Sequence, residues 1–349
     1  MLPKKKTTKP RIIDIAQAAG VSVATASNVL SERRQVNSDA GRRVMEIAKE
    51  MGYTRTQKST TFRKTIHFII YKKHGKVVMD TPFFFEMIAG IEQACRDQNY
   101  ELYTSYLNMS DAADLKERVQ AVLYDKSTAV LLLGTEMNDE DLAPFLQASV
   151  PLVVVDSHFQ NLNVNTVVID NHRAAYIATN HLIQSGHTRI GCIGSSIPFH
   201  NMRDRYAGYQ SALRDAGLSI DPTDMFYVEP TTEGALRDMK QILAERTTTL
   251  PTAFFSANDI MAVSAARAMI SVGMHLPQDA SIIGMDDVPL CQIINPPLST
   301  IRVPKAAIGA TAVHRLIKMI EQPDGIYIKS FVGVSLVERD SVLVLKSNK

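Results

Sequence analysis

The sequence predicts a small all-α head joined to a larger α/β core of two lobes built on parallel sheets. Three observations predict it. Residues 11–53 carry three short helical periodicities in succession, while from Thr65 onward short continuous apolar runs alternate with amphipathic stretches. Charge divides the same way. Residues 1–64 hold 14 Lys+Arg against 5 Asp+Glu, net +9, whereas the other 285 hold 24 against 31, net −7. The overall +2 therefore conceals a basic head on an acidic body.

At 349 residues the chain exceeds one hydrophobic core and suffices for a head and two sub-domains. Its 45% hydrophobic and 21% charged residues are ordinary for a globular protein. No apolar run reaches the ~18 residues of a membrane span. Met1–Pro10 is basic but lacks a signal peptide's apolar stretch, which predicts a cytoplasmic protein with no membrane partner. Cys95, Cys192 and Cys291 are odd in number and widely spaced, which predicts buried free thiols rather than a metal or redox site.

The head, 1–53, opens with a basic arm (1–10). In the first helix Ile12, Ile15, Ala16 and Ala19 fall at i, i+3, i+4 and i+7, one apolar face. Gly20 predicts a tight turn, Val21 re-enters the core and Ser22 caps a second helix. That helix turns Ala26, Val29 and Leu30 inward and leaves Val23, Ala24, Thr25, Ser27 and Asn28 outside. An exposed Val–Ala pair suits thymine methyls in a major groove, Asn28 suits base edges, and Thr25 and Ser27 suit phosphates. The third helix takes Ser38 as its cap and Val44, Ile47, Ala48 and Met51 as its inward stripe, with Asp39 early and Lys49 late as the helix dipole favours; Gly52 stops it. Three short helices around a glycine turn match a helix-turn-helix reader of duplex DNA, and the basic charge adds the electrostatic footprint.

Residues 54–64 are polar and basic without an apolar stripe, a linker. The core, 65–349, then alternates IHFII (66–70), a helix over 83–99, ELYTSYL (101–107), a helix over 113–125 and AVLLLG (129–134). LVVVDS (152–157), VVID (167–170), RIGCIG (189–194), MFYVEP (225–230), TAFFSAN (252–258) and SIIGMDD (281–287) follow, with helical stretches between. Continuous apolar strands separated by amphipathic helices mean βαβ units. These outnumber the strands of one ordinary sheet, so two lobes are expected: about 65–165 with 295–325, and about 166–294 with 326–345. Helices 83–99 and 113–125 are the expected face for a homodimer.

Ligands of parallel sheets sit beyond the carboxyl ends of the strands. Asp156, Asn258 and Asp286 fall there, Arg205 opens a helix after a strand, and Phe83-Phe84-Phe85 follows the first strand. Carboxylates, an amide and a guanidinium beside an aromatic wall suit a polyhydroxyl ligand, a sugar or sugar derivative. Competing assignments are open at this point: Asn258 and Asp286 as helix caps, Arg205 paired with Asp204 or Glu229 at the surface, two of the three Phe in the core. Glu229 also faces the cleft by position. No GxGxxG follows a strand, and no P-loop, HExxH or GxSxG occurs, so no catalytic residue, metal or cofactor is expected.

The words IDIAQAAGVSVATASNVL and EIAKEMGY make the chain similar to the lactose-repressor family of bacterial transcription regulators, and the likeness continues to the C-terminus through TPFFFEMIAGIEQA, DRYAGYQSAL, FFSANDIMAV and IIGMDD. The resemblance implies a core like the periplasmic sugar-binding proteins, a near-palindromic operator read by a homodimer, and a small-molecule effector. It implies base reading by Val23, Ala24 and Asn28, the last standing where an Arg or His is common. It places the effector on Phe83 or Phe84, Asp156, Arg205, Asn258 and Asp286, with the loop 197–204 setting ligand identity. It also implies a hinge helix in the linker, whose minor-groove wedge falls on Phe62. Here the chain departs from the pattern: Arg55-Thr56 replaces a usual Pro-Asn and Ser59-Thr60 a usual Ala-Arg. Repressor is the expected sense of regulation, with an activator or a solute-binding protein of only nonspecific DNA affinity as the alternatives.

Overall fold

A computed structural model of the chain describes residues 12–30, 39–51, 53, 65–78, 81–109, 119–120, 128–147 and 150–345. It divides into two units, Met1–Phe62 and Arg63–Lys349. In the first, α1 (Ile12–Ala19) ends at Gly20, whose φ of +66° only glycine adopts freely. The Val21 N–H bonds back to the Ala16 carbonyl at 3.0 Å, and α2 (Val23–Leu30) starts under a cap in which Ser22 Oγ accepts from Thr25 N at 3.0 Å. With α3 (Asp39–Glu50) these helices bury Ile15, Ala16, Ala19, Ala26, Val29, Val44 and Ala48 in a core of their own. Met51, expected inward, is exposed, because it lies beyond the last turn of α3. The expected cap Ser38 lies outside the described residues.

The second unit begins with β1 (Thr65–Lys72), α4 (Phe83–Asp97), β2 (Glu101–Asn108), β3 (Thr128–Leu133), α5 (Asp139–Leu146), β4 (Leu152–Val155) and β5 (Asn165–Ile169). It continues with α6 (Asn171–Gln184), β6 (Ile190–Ser195), α7 (His200–Asp215), β7 (Met225–Val228), α8 (Thr232–Glu245), β8 (Ala253–Ser256), α9 (Asp259–Ser271) and β9 (Ser281–Ile283). The short α10 (Leu290–Ile293), β10 (Thr300–Arg302), α11 (Lys305–Glu321), β11 (Lys329–Val332) and β12 (Ser335–Val337) complete it. Of the expected helix over 113–125, only Val119 and Gln120 are described, both helical.

Lobe 1 is a parallel six-stranded sheet in the order β11-β5-β4-β3-β1-β2. Lobe 2 is a parallel four-stranded sheet, β7-β6-β8-β9, continued past β9 by the antiparallel pair β10-β12 through bridges such as Asp286–Arg302. The expected lobe boundary needs correcting. β5, which begins at Asn165, and β11 belong to lobe 1, because Thr166 pairs with Lys329 and Val154 in the first sheet. Both strands are short and mix polar with apolar residues, and nothing local to them says which sheet they complete. The chain therefore crosses between lobes at 170, at 303–304 and at 333–334. Beyond β12 it stays on lobe 2, where Ile282 N donates to Ser341 O and Leu345 N to Ser185 O.

Close helix packing sets the shape of each lobe. In lobe 1, α11 crosses α4 so tightly that a Cβ on Gly90 would lie 2.2 Å from the Ala306 carbonyl oxygen and one on Gly309 2.4 Å from that of Met87. In lobe 2, a Cβ on Gly208 would lie 2.0 Å from the His172 carbonyl oxygen, which seats α7 directly on α6. Cys95, Cys192 and Cys291 are buried free thiols. No described helix is long and apolar enough to cross a membrane.

Candidate DNA-reading helix and interlobe cleft

On the head, α2 presents Val23, 48% exposed, and an exposed Thr25, with Ser27 half-buried. An exposed valine in the first turn of a helix gains nothing from water. The Ser22 and Thr25 hydroxyls bond each other at 2.8 Å, so the cap also fixes the Thr25 side chain. Ala24 and Asn28 lie on α2, but their side chains fall outside the described residues, as does the whole of Phe62.

In the core, the strand ends of both lobes meet across a cleft. Asp156 follows β4 and is buried; its Oδ2 accepts from Thr135 Oγ1 at 2.7 Å. Asn201, on the first turn of α7, reaches over from lobe 2 and donates to the Asp156 carbonyl at 3.0 Å. Arg205 stands one turn further along α7. Its Nε donates to Asn171 Oδ1 at 2.8 Å, its Nη1 to the Ala257 carbonyl, and its Nη2 lies 3.8 Å from Asp286 Oδ1. The arginine is thus buried rather than paired with Asp204 or Glu229 at the surface. Asn258 caps α9, its Oδ1 accepting from Met261 N at 2.8 Å, and it lines the cleft as well. Phe83 and Phe84 stand edge to face, 5.1 Å between centroids, and both are buried in the cleft wall, whereas Phe85 points to solvent.

Two of these aspartates occupy backbone that side-chain-bearing residues seldom adopt, Asp156 at φ +58° and Asp286 at φ +126°. The second is pinned by donation from its N–H to the Ile301 carbonyl at 2.9 Å. Electrostatics mark the same pair. Burial pushes the Asp156 carboxyl up to about 6, against the opposing pull of Thr135, Arg205 and Asn201. Burial first, with Asp259 and Asp156 adding to it against Arg205 and Lys305, pushes Asp286 up to about 8. Asp286 Oδ1 is buried without a hydrogen-bond partner. An unmet buried acceptor is costly, and here it faces a cavity of about 30 Å³, room for about two waters. The lobes are therefore closed on the site. A larger recess of about 790 Å³ lies along the same interlobe seam, but the convergent buried groups do not line it.

The structure brings together Phe83, Phe84, Asp156, Arg205, Asn258 and Asp286 in one cleft. Thr135 and Asn171 were not anticipated, whereas Phe199 and Asn201 fall within the loop 197–204 expected to border the ligand, though neither was singled out. Asn201 was within reach, since it lies four residues before Arg205 and so on the same helical face; Asn171 meets Arg205 only through tertiary folding. Among the described residues no group of three or more His, Cys, Asp or Glu is placed to hold a metal.

Known proteins match both units. The pattern of bacterial regulatory proteins of the lacI family covers residues 11–56, and that of a periplasmic binding protein-like domain covers residues 179–342. The ribose operon repressor of Haemophilus influenzae is 32% identical over 338 residues, 95% of this chain and 98% of that protein. The chain belongs to the lacI family. Such extensive identity spans the head, the linker and both lobes together. Among solved structures, a LacI family transcriptional regulator from Enterococcus faecium with bound ribose matches at 25% identity, covering 81% of this chain and all of that one, with a TM-score of 0.66. The lac repressor dimer bound to operator and the anti-inducer ONPF shares the fold, with a TM-score of 0.72 at 22% identity over 96% of this chain and all of that one. This lacI-family chain is accordingly a DNA-binding transcription regulator under effector control, not an enzyme.

Proposed function

We propose that the protein is a homodimeric repressor that releases or tightens on a near-palindromic operator when a sugar or sugar derivative occupies the interlobe cleft. One observation carries the ligand class. Asp156, Asn258 and Asp286 from three strand ends and Arg205 from α7 converge beside Phe83 and Phe84, and one oxygen of Asp286 is still without a donor. Once the lobes part to admit it, a sugar hydroxyl supplies that donor, a second hydroxyl reaches the Arg205 fork, and the C–H face of the ring packs on phenylalanine. The ribose named for one relative and bound in one similar structure is in keeping with this class.

On the head, α2 enters the major groove with Val23 and Ala24 against thymine methyls and Asn28 on a base edge, while Ser22, Thr25 and Ser27 face the backbone. Phe62 is the wedge residue if the linker forms a hinge helix. Two heads in a two-fold dimer require a site of matching symmetry, and the similar lac repressor binds its operator as a dimer. Ligand and operator are linked because the sugar favours one lobe arrangement over the other.

The test begins with genomic-fragment selection on purified protein at near-physiological salt, followed by titration of neutral sugars against the selected fragment. A few fragments sharing a near-palindrome, and one sugar shifting their affinity, are the expected result. Uniform retention that vanishes with modest salt would leave only a nonspecific basic head. A selected operator indifferent to every sugar would overturn the ligand class alone.

A further inference from the structure

We propose that residues 73–78 form a strap over the cleft, and that Glu136 is the positioning residue that shapes it for latching to the opposite lobe. The strap follows β1 and has no strand or helix partner, so its backbone N–H groups must find acceptors elsewhere. One buried carboxylate supplies nearly all of them. Glu136 Oε2 accepts from Lys73 N at 2.8 Å, His74 N at 3.0 Å and Gly75 N at 2.9 Å. Its Oε1 accepts from Val77 N at 3.0 Å and Val78 N at 3.3 Å. The one N–H left over, that of Lys76, donates to His74 Nδ1 at 3.2 Å. Gly75, at φ +72°, supplies the left-handed step that curls successive N–H groups toward one point. Burial alone would raise the Glu136 carboxyl; the N–H groups of His74, Gly75 and Val77 bring it below its ordinary value instead.

Coiled this way, the strap does two things. It lays Val77 into the cleft wall, and it extends Lys76 across to lobe 2, where its Nζ lies 2.6 Å from Glu229 Oε2. Glu229 is held ready for it. Thr231 Oγ1 donates to its Oε1 at 2.9 Å, and Arg237 stands 3.7 Å from Oε2. Lys76 is substantially exposed, so the latch is a modest one that opens and closes readily. Glu136 lies in the turn three residues beyond β3, and among the described residues its carboxylate bonds only strap residues, so it acts on closure through the strap. Its bearing on the effector rests on the proposed function; its bearing on lobe closure does not.

The experiment needs no ligand. Nitroxides are attached to cysteines introduced at the exposed Gln147 of lobe 1 and Lys240 of lobe 2 in the full chain, the native cysteines being buried. Interlobe distance distributions then give the closed-to-open ratio. Lys76→Met and Glu229→Gln should each lower that ratio by roughly two- to five-fold, and together by no more than either alone. In a Glu136→Gln background, Lys76→Met should have no further effect. Gly75→Ala, which disturbs the left-handed step of the strap while leaving the Glu136 carboxylate itself unchanged, should silence Lys76→Met in the same way. A Lys76→Met effect that persists in full in both backgrounds would overturn Glu136 as the positioning residue, and no effect of Lys76→Met in the parent would overturn the latch. Loss of every sugar response with the latch coupling intact would count against the proposed ligand, not against the strap.

Discussion

Of the two cleft aspartates, Asp286 is the one whose chemistry is more distorted by its surroundings. The unfolded carboxyl titrates near 3.8 and the folded one near 8, so between these values the folded core holds a proton that the unfolded chain has released. Its contribution to stability is present in acid and is lost as pH rises through about 8. Four histidines, His67 and His187 buried and His158 and His200 half-buried, are lowered from 6.5 by desolvation and act in the opposite sense, but only below that value. The expected outcome is a core whose melting temperature falls between pH 6.5 and 8.5, with Asp286→Asn flattening that fall; an equally steep fall in the variant would assign it elsewhere. On the head, Asn28→Ala should cost roughly 1–3 kcal/mol against the preferred operator and relax choice at one base position. Titrating single-base operator variants checks this, and an equal loss on all of them would make Asn28 a backbone contact.

At the level of elements, the seating of α7 on α6 matters most, because α7 carries both Asn201 and Arg205 into the cleft. Gly208→Ala places a methyl 2.0 Å from a backbone oxygen, so the helices must part. The cost should be about 1–3 kcal/mol, with weakened effector response in the molecules that still fold. Gly217→Ala is the control. It lies beyond α7 at φ +69° with open space around its missing Cβ, so it carries backbone strain without a clash. Urea unfolding of the two variants separates the effects, and equal losses would mean that the helix contact is not the limiting feature. Strand ends were legible at this scale, since Asp156, Asn258 and Asp286 each terminate an apolar run in a parallel sheet. The N-cap role of Asn258 and its place in the cleft turned out to be compatible, because a cap engages only the side-chain oxygen.

For the whole molecule, the distribution of charge and the hinged pair of lobes divide the work. A head and linker that together carry +9 release counterions on DNA, so operator affinity should fall linearly in a log–log plot against salt, with a slope of about −0.9 per phosphate neutralised. The cleft should set the response without setting the grip. Arg205→Ala leaves Asn171 and Asp286 without their common partner and should abolish the sugar response while operator binding in the absence of sugar is retained. Fluorescence anisotropy on the selected operator, with and without sugar, tests this; an unchanged response would remove Arg205 from the pocket.

What the sequence by itself determined is local and periodic: three helices around Gly20, the alternation of apolar runs and helices, the split of charge, and polar residues at strand ends. Each follows from spacing along the chain, since a helical face or a buried strand is written in neighbouring residues. The expected wedge, Phe62, lies outside the described residues. Only tertiary structure decided the rest. β5 and β11 are as short as the strands of lobe 2, and pairing across more than 150 residues assigned them to lobe 1. Glu136 offers no motif, because its five donors lie some 60 residues upstream and are all backbone. Backbone N–H groups are the same in every residue but proline, so which of them share one carboxylate is a property of the folded chain alone.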